Sequence, residues 1–168
     1  MESIEKTIEV DAPVKKVYNQ WTQFEEFPRF MEGVEEVKQL DDKHLHWVAE
    51  IAGKKKEWDA EIMQQIPDER IAWRSISGAT NAGVVNFRPK DHDRTVVCLK
   101  MTYEPEGAAE NVGDAFGFLS RRVEGDLKRF KAFIQTRTTE TGSWRGEILK
   151  GEVKNPGDYD SSGKSGLS

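Results

Sequence analysis

The sequence predicts an α+β domain in which a curved antiparallel sheet wraps around a long C-terminal helix. Three stretches of hydrophobic pattern carry this prediction. Apolar residues repeat at helical spacing near the N-terminus, alternate with a period of two over residues 34–103, and return to helical spacing over residues 108–135. A sheet with one apolar face needs a cover, and the last helix supplies it. Because a straight helix cannot fill the hollow of a wide twisted sheet, a cavity is expected between them.

The N-terminal elements are predicted to be one strand followed by two short helices. Apolar and charged residues mix over residues 4–10, which is typical of a strand at a sheet edge. Asp11, a favourable N-cap residue, and Pro13 then open a helix. Pro28 interrupts the series Phe24, Phe27 and Phe30, so a second short helical segment is expected there.

Short strands joined by turns are predicted next, in the order of an antiparallel meander. The longest helix is expected to span Ala108 to Gln135 and to pack on the concave face of the sheet. Its inner face is predicted to consist of Val112, Phe116, Leu119, Val123 and Leu127.

The predicted domain comprises residues 1–135, and residues 136–168 are expected to form a polar, largely disordered C-terminal tail. The tail is rich in Thr, Gly, Ser and charge, a composition that buries too little apolar surface to fold alone. Trp144 and Ile148 are the exceptions, and residues 136–149 are expected to dock through them.

Composition and charge exclude several classes of protein. The 168 residues suit one domain, and the net charge of −5 gives no basic footprint for nucleic acid and no attraction to anionic membrane surfaces. One cysteine, Cys98, leaves no internal disulfide. We find neither a signal peptide nor a stretch for stable membrane insertion, so a cytoplasmic location is expected.

A resemblance to a known family is carried by residues 12–21, Phe24, the Phe27-Pro28-Arg29-Phe30 segment with Val34, residues 71–75, residues 83–87 and the terminal helix. These segments resemble the START-like superfamily of polyketide cyclases and dehydrases, also called SRPBCC proteins, and its bacterial cyclase/dehydrase-like branch. The resemblance covers roughly residues 1–135 and implies the helix-grip fold. The superfamily includes lipid carriers, ubiquinone-binding proteins, hormone receptors and aromatic-ring cyclases, and it offers no invariant catalytic signature to carry over.

Aromatic residues dominate the predicted inner rows of the sheet, which indicates a mostly apolar pocket for a hydrophobic small molecule. Ordinary core packing is the alternative for each single residue. The predicted ligand-binding residues are Trp47, Trp58, Trp73, Ser75, Phe87, Met101, Tyr103, Phe116, Leu119 and Ser120. Gly113 and Gly117 are interpreted as a loosely wound first turn, as clearance for the ligand, or as a hinge that opens the mouth of the pocket. His44 and His46 are interpreted as solvated residues, because no further metal ligand completes them.

The first functional hypothesis is non-catalytic binding or transport of a lipid, a quinone or an aromatic, polyketide-like molecule, with no cofactor. The second is a cyclase or dehydratase, which needs a positioned acid or base. The inner strand rows hold only Ser75 and Tyr103 for that role, which favours binding. The third is an interaction module that recruits a protein partner through the tail near Trp144.

Overall fold

The computed structural model of the protein describes residues 2–51, 53–103 and 112–155. Within these ranges, nine strands form one sheet accompanied by two α-helices and a 3-10 helix. The elements are β1 (Glu2–Val10), α1 (Val14–Trp21), the 3-10 helix (Phe24–Arg29), β2 (Val34–Gln39), β3 (His44–Ile51), β4 (Lys54–Ile66), β5 (Arg70–Gly78), β6 (Asn81–Asp91), β7 (Arg94–Tyr103), α2 (Val112–Gln135), β8 (Glu147–Leu149) and β9 (Glu152–Asn155).

The sheet is an antiparallel meander with its first strand moved to the far edge. Its spatial order is β1-β7-β6-β5-β4-β3-β2, and consecutive strands from β2 to β7 are paired with one another. Strand β1 runs along the whole of β7, from the pair Glu2–Tyr103 to the pair Val10–Thr95. The α+β class, an open antiparallel sheet covered by a long C-terminal helix, is therefore confirmed.

Helix α2 is held on the sheet by an apolar stripe at helical spacing. Leu119, Val123, Leu127, Phe130 and Ile134 are all almost inaccessible to solvent. A fully buried side chain of this kind contributes roughly 1.5–3 kcal/mol relative to an exposed one, so the stripe is sufficient to dock the helix. Residue 108, the predicted start of this helix, lies outside the described residues. The side chains of Val112 and Phe116 are likewise outside the described part, so their predicted packing stays a prediction.

The predicted N-cap role of Asp11 is wrong. Helix α1 begins at Val14, directly after Pro13, and no side chain caps it. Asp11 precedes the helix by too many residues to reach its free N–H groups. Instead, the backbone N–H of Asp11 donates to Oε1 of Gln135 at 2.7 Å, which ties the start of α1 to the end of α2.

Residues 136–155 pack against the domain, although the sequence analysis ended the domain at residue 135. Strand β8 pairs with β4 through Ile148 and Gln65, beyond the point where β3 begins. Ile148 is fully buried, and Trp144 packs against the core. Arg145 adds an ion pair to Asp68 at 2.8 Å. The apolar residues expected to dock thus do so in and beside a β-hairpin, while residues 156–168 lie outside the described part.

We expect Ile148→Ala to lower the free energy of unfolding by about 2–5 kcal/mol, because it removes a buried side chain and leaves a cavity. Chemical denaturation measures this loss. The matched control is Leu149→Ala, which truncates a half-buried neighbour in the same strand. An effect at Ile148 no larger than that at Leu149 would contradict the packing of the hairpin.

Candidate ligand-binding cavity

A cavity of about 90 Å³ lies between α2 and the sheet, and its wall is carbon almost throughout. Helix α2 contributes a single stripe of residues to it. The sheet, the 3-10 helix and the turn before β2 supply most of the rest. The lining residues are Trp21, Phe27, Met31, Glu32, Gly33, Val34, Trp47, Ala49, Glu50, Ile51, Trp58, Trp73, Asn81, Leu99, Met101, Phe118, Leu119, Arg122, Val123, Asp126 and Leu127.

Half of the residues predicted from the sequence line this cavity. They are Trp47, Trp58, Trp73, Met101 and Leu119. Strand pairing brings them together, since Trp47 lies opposite Trp58 and Trp73 lies opposite Gly83, which in turn lies opposite Met101. The alternation of each strand therefore places one row of large side chains across neighbouring strands.

The remaining predicted residues lie elsewhere for separate reasons. Phe87 is buried, but it packs against Tyr18 and Trp21 at the end of the sheet that α1 covers. Ser75 accepts a hydrogen bond from the backbone N–H of Asn81 at 3.1 Å. Tyr103 is buried at the end of β7, outside the lining. Ser120 is half-buried beside the lining stripe of α2, and the Phe116 side chain lies outside the described part.

Different side chains pack over the two ends of the sheet, and an unfilled space remains at one of them. At one end, Tyr18 and Trp21 of α1 pack edge-on against Phe87 and Phe130. At the other end, no helix stands in the place of α1 within the described residues. Aromatic side chains of the strands instead surround the space, and the indoles of Trp47 and Trp58 stack there with centroids 5.6 Å apart.

Gly83 allows the indole of Trp73 to lie close over β6. A Cβ atom at Gly83 would overlap the six-membered ring of Trp73. The glycine is therefore needed for close approach rather than for an unusual backbone angle. It thereby fixes the position of Trp73, which lines the cavity.

Three charged residues of α2 form hydrogen bonds to the backbone of the turn before β2, residues 30–33. Arg122 donates from Nη1 to the carbonyl oxygen of Glu32 at 2.6 Å, and Arg129 donates from Nε to that of Phe30 at 2.9 Å. Asp126 accepts at Oδ1 from the backbone N–H of Glu32 at 3.0 Å. The spacing i, i+4, i+7 places all three on one side of the helix. The turn that closes the cavity is thereby held through its main chain.

Gly33 completes the fit between the turn and α2. Its φ of +91° lies in the left-handed region that favours glycine. A Cβ atom at this position would overlap the guanidinium group of Arg122. That guanidinium also lies over the ring of Phe118, with Cζ 4.6 Å from the ring centroid. Arg122, on the flank of the apolar stripe of α2, therefore belongs to the cavity wall.

Asp126 is the buried ionisable group of the cavity wall. Burial raises its pKa to about 6, while the hydrogen bond and charge of Arg129 and the hydrogen bond from the Glu32 backbone oppose that rise. The sequence analysis missed this residue because it considered only the strand rows. Its position between Val123 and Leu127, on the edge of the apolar stripe of α2, is the signal that would have found it.

Asp126→Asn tests the balance between burial and ion pairing. Because the pKa is higher in the folded than in the unfolded protein, the stability contributed by the carboxyl is present below about pH 4 and lost as the pH rises through about 6. The wild type should therefore lose up to roughly 3 kcal/mol relative to Asp126→Asn between pH 4 and pH 7. Urea denaturation of both proteins across this range gives the difference. A difference that is constant, or that changes in favour of the wild type as the pH rises, would show that Arg129 outweighs burial.

His44 and His46 lie on the outer face of the sheet, each beside carboxylates. Nδ1 of His44 lies 2.9 Å from Asp41, and Nδ1 of His46 lies 2.6 Å from Oδ1 of Asp59. The hydrogen bond to Asp59 raises the pKa of His46. Across the described ranges, no group of three or more His, Cys, Asp or Glu residues is arranged to hold a metal ion.

The clearance interpretation of the glycines receives no support at Gly117. This residue is half-buried and outside the lining, and a Cβ atom there would meet only Arg121 at an ordinary 3.6 Å. The side-chain environment of residue 113 lies outside the described part. Gly33 and Gly83, rather than Gly117, are glycines that shape the cavity.

Comparison with known proteins assigns this arrangement to a family. Residues 10–132 match the family model described as polyketide cyclase/dehydrase and lipid transport. The chain belongs to this family. It is also 52% identical over 150 residues to an uncharacterized 17.2 kDa protein of Streptomyces lincolnensis, covering 89% of this chain and all of the relative. The predicted START-like membership is therefore confirmed.

Solved structures of the family share the fold at low sequence identity. An aromatase/cyclase from Streptomyces sp. R1128 matches with a TM-score of 0.70 and 17% identity, covering 84% of this chain and 98% of the other. A START superfamily protein from Mycobacterium smegmatis matches with a TM-score of 0.62 and 16% identity, covering 76% and 97%. These similarities show that the chain has the START-like, helix-grip fold.

None of the helices in the described part of this chain is both long enough and apolar enough to span a membrane.

Proposed function

We propose that the protein binds and carries a hydrophobic small molecule, such as a lipid, a quinone or an aromatic compound, without converting it. The observation that supports this most is the carbon-lined cavity between α2 and the sheet. Such cavities with a few polar groups are the usual form of small-molecule sites. The cytoplasmic location stays a prediction from the sequence.

Filling the cavity should abolish binding while preserving the fold. Ala49 lines the cavity from β3 and is buried, so Ala49→Leu would place a larger apolar side chain in it. Ala132→Leu, on the exposed side of α2, is the matched control, because leucine is nearly as good a helix former as alanine.

A fluorescent, uncharged probe built on two fused rings, such as prodan, measures the effect. We expect saturable binding to the wild type and to Ala132→Leu, and at least a roughly tenfold loss of affinity in Ala49→Leu with an unchanged circular dichroism spectrum. Equal affinity in all three proteins would place the probe outside the cavity and contradict the proposal.

A cyclase or dehydratase activity is the second candidate, and Asp126 is the observation that favours it. A buried carboxyl with a pKa of about 6 populates both its protonated and its ionised form near neutral pH. General acid–base catalysis favours such a value. Asp126 lines the cavity and thus supplies the acid or base that the strand rows lack.

Dehydration of an aromatic β-hydroxy ketone to the enone tests the enzymatic alternative, since the product is followed by its ultraviolet absorbance. If Asp126 moves the proton, Asp126→Asn should lower turnover by about 10²–10⁴-fold. If neither the wild type nor Asp126→Asn converts the substrate, carriage remains the proposed function. If both convert it at the same rate, Asp126 takes no part in the reaction.

The packing of Trp144 argues against the interaction-module hypothesis. Trp144, the residue expected to recruit a partner, packs against the core to which the buried Ile148 belongs. Its backbone N–H donates to the hydroxyl of Thr22 at 3.1 Å. We therefore assign residues 136–155 a structural role, and recruitment of a partner would have to rely on other residues.

A further inference from the structure

We propose that the ligand of the cavity is a compact molecule without negative charge, built on a flat aromatic ring. This inference rests on the proposed binding function and narrows the class of ligand. Three properties of the cavity point to it: the aromatic content of the wall, the way its charges are already engaged, and its size.

Aromatic and sulfur-containing side chains make up a large share of the wall. Trp47, Trp58 and Trp73 line it from three successive strands, and Met31 and Met101 lie in the same lining. Aromatic rings pair with one another more favourably than their buried area alone predicts, and methionine sulfur also contacts ring edges favourably. An alkyl chain gains neither of these interactions, so the wall favours an aromatic ligand.

The two charged residues that α2 contributes to the wall, Arg122 and Asp126, are engaged by the protein itself. Arg122 is the only cation among the lining residues that the structure describes, and its Nη1 donates to the carbonyl oxygen of Glu32 while its plane covers Phe118. Asp126 is bonded to the Glu32 backbone and to Arg129. A ligand carboxylate would therefore lose its hydration without gaining a dedicated partner, which is costly in an apolar site.

The size of the space sets the third limit. A cavity of about 90 Å³ is of the order of one that holds a single benzene-sized molecule, for which an engineered cavity of roughly 150 Å³ is the reference. A long alkyl chain exceeds it unless α2 moves away from the sheet. One or two fused rings require far smaller adjustments of the surrounding side chains.

Isothermal titration calorimetry at about pH 7.5 tests the inference with three ligands, two of which share the ring system and two of which share the amide headgroup. We would use 2-naphthamide, its anionic counterpart 2-naphthoate, and dodecanamide, which keeps the amide but replaces the rings with a chain. We expect 2-naphthamide to bind at least about tenfold more tightly than either of the others. The cavity-filled Ala49→Leu protein should lose the 2-naphthamide signal, and the Ala132→Leu control should keep it.

The results of these titrations distinguish failure of this inference from failure of the proposed binding function. Binding of 2-naphthoate or dodecanamide as tight as that of 2-naphthamide, and lost in Ala49→Leu, would overturn the inference while leaving carriage of a hydrophobic molecule intact. Failure of all three ligands and of prodan to bind would overturn the proposed function and the inference with it. Binding of 2-naphthamide that survives in Ala49→Leu would place it outside the cavity and also overturn the inference.

Discussion

The main chain of the turn before β2 depends on side chains of α2 for its hydrogen bonds, and the shape of the cavity depends on that turn. Buried backbone groups must be paired, because an unpaired one costs as much as a lost hydrogen bond. Arg122, Asp126 and Arg129 supply these partners, at the cost of burying a carboxylate. Without them, the carbonyl and N–H groups of residues 30–32 would need water, and the wall of the cavity would open there.

The unfilled cavity lowers the free energy of unfolding of the protein. An unfilled space of about 90 Å³ corresponds to about 2 kcal/mol at the cost measured for engineered cavities. Tyr18 shows that the chain can fill such space, because its ring packs against Phe87 at the end of the sheet that α1 covers. A ligand that occupies the open end would offset the cost, so binding and folding stability are coupled in this protein.

Hydrophobic periodicity was sufficient to predict the order of the elements, but not the contacts that depend on one local detail. Strand alternation identified the inner row that contains Trp47, Trp58 and Trp73, because one register decides a whole face. It could not show that α1 would cover Phe87, since that depends on tertiary packing. The search for an acid or base in the strand rows could not reveal Asp126, because this residue lies on α2. The apolar exceptions Trp144 and Ile148 predict docking of the tail, but composition cannot predict that Ile148 pairs with β4 in a hairpin.

Strand β8 covers a strand edge that would otherwise be open. Strand β4 is longer than its neighbour β3, and its last residues extend beyond the pair of His44 with Glu61. The C-terminal hairpin covers these residues, with Ile148 opposite Gln65 and the backbone N–H of Gly151 donating to the carbonyl oxygen of Met63 at 2.9 Å. Unpaired strand edges recruit strands of other molecules. The hairpin therefore blocks edge-to-edge association at β4, and a chain that ends at residue 135 should scatter light at concentrations where the full chain stays clear.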